Sequence, residues 1–223
     1  MKKLVVYDES CPMCRLYTKG MVLADPDLVR VGNGQLTNTV LLNQLDRQRA
    51  RHELPLIDLD GGETLYGVDT WAYAFGRKNQ LTSKLLSAGW LRAILQKLYA
   101  FVSVNRRIII TSAPGRWQLL DLQPDFQASY RLTFVLIVFG LVGALFTTVS
   151  GSIVPIATLL VSQLLLMCLS SVFTRSGSSL ETILDYAGHL GMSLLVGGLV
   201  IGLGRAVGWP TVSAVGYALA IGQ

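Results

Sequence analysis

Leu4-Val5-Val6-Tyr7-Asp8-Glu9-Ser10-Cys11-Pro12-Met13-Cys14 is the stretch that decides how the first half of the chain reads. Leu4 to Tyr7 is rich in β-forming side chains and stops at a polar cluster, which predicts a short buried strand. From Cys11 to Ala24, Met13, Leu16, Tyr17, Met21 and Leu23 include several i, i+3 and i+4 pairs, which predicts a helix. Ser10 is its expected N-cap, and Pro12 suits its first turn. Two cysteines three apart at the start of a helix lie on nearly one face, close enough to bridge. Free backbone N–H groups and the positive end of the helix favour a thiolate at the first position. Cys11 is therefore the expected nucleophile, and Cys14, one turn deeper, the resolving thiol.

Leu28 to Val31 reads as a second strand and Gly32-Asn33-Gly34 as a turn. Residues 35–53 form a polar helix or an irregular arm, with Leu36, Leu41, Leu42 and Leu45 on its apolar side. Pro55 to Asp60 is a third strand, Gly61-Gly62 a hairpin turn, Glu63 to Tyr66 the returning strand, and Gly67 to Phe75 starts a helix. Residues 83–104 form a long amphipathic helix carrying Trp90, Ile94, Leu95, Leu98, Tyr99 and Val102, set either on its own domain or on a membrane surface. The order β-α-β-α-β-β-α, with a cysteine pair at the first strand–helix junction, is the thioredoxin-like arrangement. Asp8 is either a proton-transfer group for the pair or a strand-end turn residue. Pro55 is either a cis-proline lying against the cysteines, as such folds carry, or a proline that starts a strand.

Half a zinc site is the competing chemistry for Cys-x-x-Cys. It needs four ligands, and the other candidates are Cys168, His52 and His189, so zinc fits poorly. A soft-metal carrier remains, and Met13 would suit copper(I). No cofactor beyond the dithiol and no nucleic-acid partner is expected. The expected partners are a protein or small-molecule disulfide, the lipid bilayer and other membrane proteins.

Tyr7-Asp8-x-x-Cys11-Pro12-x-Cys14 resembles the motif of the DCC family of thiol–disulfide oxidoreductases, named for its Asp-x-x-Cys-x-x-Cys pattern. The similarity spans roughly residues 4–110 and takes in Asp58-Leu59-Asp60-Gly61, Gly67-Val68-Asp69-Thr70-Trp71-Ala72 and a later Tyr99…Asn105-Arg106 segment. It implies a thioredoxin-like fold and assigns the motif positions to Asp8, Cys11 and Cys14. Where the family usually has Gly after the aspartate, this chain has Glu9.

Composition changes abruptly along the chain. Residues 1–131 hold 17 of the 19 Lys and Arg and 12 of the 14 Asp and Glu, a net +5; residues 132–223 hold Arg175, Arg205, Glu181 and Asp185, which cancel. A span needs about 20 mostly apolar residues. Leu132–Val149, Ile153–Phe173, Tyr186–Gly204 and the shorter Trp209–Gly222 are read as four spans. The expected organisation is a redox domain over 1–110, a basic juxtamembrane linker over 111–131 and an all-α transmembrane bundle over 132–223. Leu4 to Tyr7 is too short an apolar stretch for a signal peptide. Arg106, Arg107, Arg116, Arg131 and Arg175 flank the spans on one side, which points to a cytoplasmic redox domain on an integral membrane protein of the bacterial inner-membrane type. Gly140, Gly143, Gly151, Gly191, Gly197, Gly198, Gly202 and Gly204 either allow close helix contact or are flexible or merely small lipid-facing positions. His189 shares a helix face with Glu181 and Asp185. That face binds a quinone, a proton or a metal, or is a polar patch bonded to a neighbouring helix.

Overall fold

The computed structural model describes residues 2–76, 88–111, 120–150, 157, 158, 161–163, 165 and 180–209. The chain divides into two compact units, Met1–Asp125 and Phe126–Gln223.

The first unit runs β1 (Lys3–Tyr7), α1 (Pro12–Ala24), β2 (Leu28–Gly32), α2 (Thr39–Asn43), α3 (Arg47–His52), β3 (Pro55–Asp58), β4 (Leu65–Tyr66), α4 (Val68–Gly76) and α5 (Gly89–Ile109). The strands form one mixed sheet in the order β2-β1-β3-β4. β1 is parallel to β2, joined through α1, and antiparallel to β3 in the register Lys3↔Asp58, Leu4↔Ile57, Val5↔Leu56. β3 and β4 pair as a hairpin, with Pro55 opposite Tyr66 and Leu56 opposite Leu65, but β3 ends at Asp58 and β4 begins at Leu65, so residues 59–64 connect them rather than a two-residue Gly61-Gly62 turn. Both sheet faces are covered, which is why β1 reads as a continuous apolar run rather than an alternating one. Leu4, Val6 and Ile57 pack on Leu36, Leu42 and Leu45 on one face. Val5 and Leu56 pack on Met21, Leu28 and Ala74 on the other.

Three further expectations change. The segment 35–53 is two short helices, because Asn38 and Asp46 each cap a new start: Asn38 accepts from the N–H of Val40 at 2.9 Å, and Asp46 from that of Arg49 at 3.0 Å. The N-cap of α1 is Cys11, not Ser10. The Ser10 hydroxyl is already spent, donating to Asp8 at 2.5 Å. Third, residues 120–125 are not linker. Leu120 and Leu122 are buried in the first unit's core, and Arg51 holds Asp121 at 3.1 Å and Asp125 at 2.7 Å. The unit therefore ends at Asp125 rather than 110.

Asn33 fixes that closing segment. It is fully buried, donates to the Leu120 carbonyl at 2.8 Å and accepts from the Glu9 N–H at 3.2 Å. Asn33→Ala leaves both backbone groups without their partner, so it should cost about 1–3 kcal/mol. Chemical denaturation of the two proteins measures the difference.

The second unit contains α6 (Ala128–Ser150) and α7 (Leu180–Val207). Both are long and apolar enough to cross a membrane, with mean hydropathy 2.4 and 1.8 over their most apolar windows. The expected spans 153–173 and 209–222 lie, apart from a few positions, outside the described residues. α6 and α7 pack against each other through small residues. A side chain on Gly191 would meet Val138 at 2.8 Å, and one on Gly198 would meet Phe146 at 2.7 Å and Leu145 at 2.8 Å. Among the described residues, nothing lies within 4 Å of a side chain placed on Gly140. Gly198→Leu should therefore force the two helices apart and lower the Tm of the detergent-solubilised chain, whereas Gly140→Leu should leave it unchanged.

Candidate functional site

The cysteine pair sits where β1 ends and α1 begins. The Cys11 backbone is extended (φ −91°, ψ 112°), which turns its sulfur back over the first turn. There Sγ accepts from the N–H of Cys14 at 3.4 Å, within reach for a sulfur acceptor. Both thiols are free and both are buried, Cys11 with no exposed surface and Cys14 at 2%.

Their ionisations are pushed apart. The Cys14 side chain donates to Cys11 and lowers its pKa to about 6; burial opposes this, while the Cys14 N–H and the Arg106 charge assist it and Asp8 works against it. Cys14 is raised well above the thiol range by that same hydrogen bond and then by burial, with Arg106 and the Tyr17 hydroxyl pulling the other way. At neutral pH the pair is a thiolate at the helix cap and a thiol that donates to it.

Asp8 is buried and saturated with donors. Its Oδ1 accepts from the Ser10 N–H at 3.0 Å and the Ser10 hydroxyl at 2.5 Å. Its Oδ2 faces Arg107 Nη2 at 3.3 Å and Arg106 Nη2 at 3.8 Å, and its carbonyl accepts from the Cys11 N–H at 3.2 Å. Asp8 thus ties the loop that presents Cys11 to the end of α5. Glu9 packs against Gly32 and Gly34, where any side chain would collide with its carboxylate.

Arg106 was not legible as part of the site. It is buried, donates to the Leu122 carbonyl and, at 3.2 Å, to Ser103 Oγ. Burial opposes its charge, but the neighbouring Cys14, Tyr17, Asp8 and Cys11 outweigh burial and raise its pKa. Tyr99 accepts from the Leu54 N–H at 2.8 Å, one residue before Pro55. Burial holds the ionisation of Tyr17 and Tyr99 above the usual phenol range. The signals available in sequence were the Arg106-Arg107 doublet inside an apolar turn and the Tyr99…Arg106 part of the resemblance.

Pro55 reaches the site by another route. The Leu54–Pro55 peptide is trans, as is every described peptide bond, so the cis form does not occur. Pro55 nevertheless lines a cavity of about 10 Å³ with Asp8, Cys14, Tyr17, Glu53 and Arg106, room for about one water. No family model, curated protein or solved structure matches the chain. Among the described residues no group of three or more His, Cys, Asp or Glu is placed to hold a metal.

In the second unit, Asp185 lies 3.1 Å from Arg131, an ion pair between α6 and α7. The face carrying Glu181, Asp185 and His189 is thus partly committed to helix pairing.

Proposed function

We propose that this chain performs thiol–disulfide exchange through Cys11 and Cys14 in a thioredoxin-like domain anchored to a membrane. The observation that carries the reading is the Cys11 sulfur at the cap of α1, bonded to the Cys14 N–H and held as a thiolate by the Cys14 thiol. The β1-α1-β2 crossover and β3-β4 hairpin in the order β2-β1-β3-β4 support the thioredoxin-like assignment, and with it membership of the DCC family. Two apolar helices support a membrane anchor; the basic flanks of the spans favour a cytoplasm-facing dithiol.

Cys11 thiolate attacks one sulfur of a substrate disulfide. The substrate S–S bond breaks, one substrate thiolate leaves, and Cys11 is joined to the other half. Cys14 loses its proton and attacks Cys11 Sγ. The second substrate thiolate leaves, and the pair ends as a disulfide, having given two electrons. The reverse sequence oxidises a dithiol. Asp8 acts as a positioning residue, since its oxygens already accept from Ser10 and face two guanidinium groups. Because Cys11 has no exposed surface, a substrate sulfur reaches it only after local opening.

The test is exchange with a small aromatic disulfide by the full chain in membranes. Wild type should react, Cys11→Ser should fall to the uncatalysed rate, and Cys14→Ser should stop at a mixed disulfide. Absence of exchange by wild type with both thiols reduced would refute the reading.

A further inference from the structure

The resolving half of the exchange needs a thiolate on Cys14, and Cys14 is buried. In the resting pair two things keep it protonated: it donates to the Cys11 sulfur, and burial disfavours its charge. The first disappears once Cys11 is joined to half of a substrate, because that sulfur then carries no charge. Burial remains, so the attack depends on the groups that face the Cys14 sulfur and favour its charge.

Two groups do so. One is the Arg106 guanidinium; the other is the Tyr17 hydroxyl, which hydrogen-bonds to Cys14. Tyr17 stands three residues after Cys14 in α1, on the same helix face. Helical side chains lean toward the N-terminus, which brings the phenol back over the Cys14 turn. Its ring packs on Trp71 of α4, with centroids 5.4 Å apart. Cys14, Tyr17 and Arg106 border the same small cavity. The other polar groups there are less suited to the task. Asp8 and Glu53 are carboxylates, which repel a thiolate. The Tyr99 hydroxyl, from α5, is engaged by the Leu54 N–H at 2.8 Å. Tyr17 stays a phenol, because burial holds its ionisation up, so it remains a donor throughout the pH range in which thiols react.

We propose that Tyr17 is a catalytic residue of the resolving step, its hydroxyl donating to the Cys14 sulfur as that sulfur takes on charge and attacks Cys11. The inference rests on the thiol–disulfide reading and concerns its second half. Cys14 gives its proton to water and its sulfur bonds to Cys11 Sγ. The bond between Cys11 and the substrate breaks, and its electron pair leaves on the substrate sulfur, which takes up a proton from water. Until Cys11 captures a substrate, the Cys14 proton is held by the Cys11 thiolate, so the two thiols react in a fixed order.

The test is exchange of the reduced full chain in membranes with a coloured aromatic disulfide, which releases one aromatic thiolate as Cys11 attacks and a second as Cys14 resolves. Tyr17→Phe keeps the ring on Trp71 and removes the hydroxyl. Its second release should be about three- to tenfold slower than that of wild type at pH 7, with the first release as internal reference. In the Cys11→Ser background, where Cys14 is the one thiol of the site, adding Tyr17→Phe should move the thiolate titration up by about one pH unit or more. Chains made with 3-fluorotyrosine, a stronger donor of nearly the same shape, should resolve faster, which probes the same bond without a substitution at residue 17. Equal second releases in wild type and Tyr17→Phe, coincident Cys14 titrations, or a second release indifferent to fluorination overturn the inference and leave the exchange reading standing. No release at all by wild type overturns the exchange reading and the inference with it.

Discussion

Thiolate absorbance of the reduced chain, titrated against pH, should show one ionisation centred near 6 that disappears in Cys11→Ser. At pH 7 roughly nine-tenths of Cys11 is then thiolate, against a few per cent for an ordinary thiol. The gain in attack rate is smaller than that ratio. A less basic thiolate is a weaker nucleophile, which takes back roughly tenfold of the roughly thirtyfold rise in thiolate. The larger consequence is thermodynamic. Holding Cys11 ionised favours the reduced pair, so its disulfide should be about 30 mV more oxidising at pH 7 than one with ordinary thiols, a difference of about 1.4 kcal/mol. The direction with pH follows. Cys11 is an acid whose folded value lies below its unfolded one, so its contribution to the stability of the reduced chain is complete above about pH 8.5 and is lost as the pH falls through 6. Denaturation of wild type and Cys11→Ser at pH 5 and pH 9 should show the gap between them opening at the higher pH.

Arg106→Met should have the largest effect on stability. It removes a buried guanidinium from the Asp8 carboxylate at 3.8 Å and leaves the Leu122 carbonyl and Ser103 without their donor. Breaking one side of such a buried arrangement costs about 3–5 kcal/mol. The Cys11 ionisation should move up at the same time, because the Arg106 charge assists the thiolate. Arg106→Lys separates the two effects: it keeps a charge near the sulfur while losing the fork that reaches Leu122 and Ser103, so stability should fall with less movement of the thiol titration. An Arg106→Met chain with unchanged stability and an unchanged Cys11 titration would remove the guanidinium from the site.

Local signals carried much of the fold. The β1 run, the cysteines at its end and the β3–β4 hairpin depend on neighbours in sequence, and the structure places them where the pattern indicated, apart from the hairpin's longer connection. The two membrane-length helices followed from a step in composition. The rest depended on distant partners. Ser10 reads as a cap until the buried Asp8 takes its hydroxyl. Leu120 and Leu122 lie in the short run Leu119-Leu120-Asp121-Leu122, too brief to show a period, and the Asn33 and Arg106 side chains that bond their carbonyls are distant in sequence. The site showed the same division. Cys11, Cys14 and Asp8 are close in sequence and were legible, whereas Arg106 and Arg107 meet Asp8 from the far end of α5. No pattern in the sequence states which strand end a helix terminus will meet.

The most direct test of the nucleophile assignment uses the Cys14→Ser chain in membranes, reduced and then exposed to a small aromatic disulfide above pH 8, where even an ordinary thiol is partly ionised. Peptide mass mapping should find the aromatic thiol joined to Cys11 and released by reductant. An unmodified Cys11, or label confined to Cys168, would contradict it.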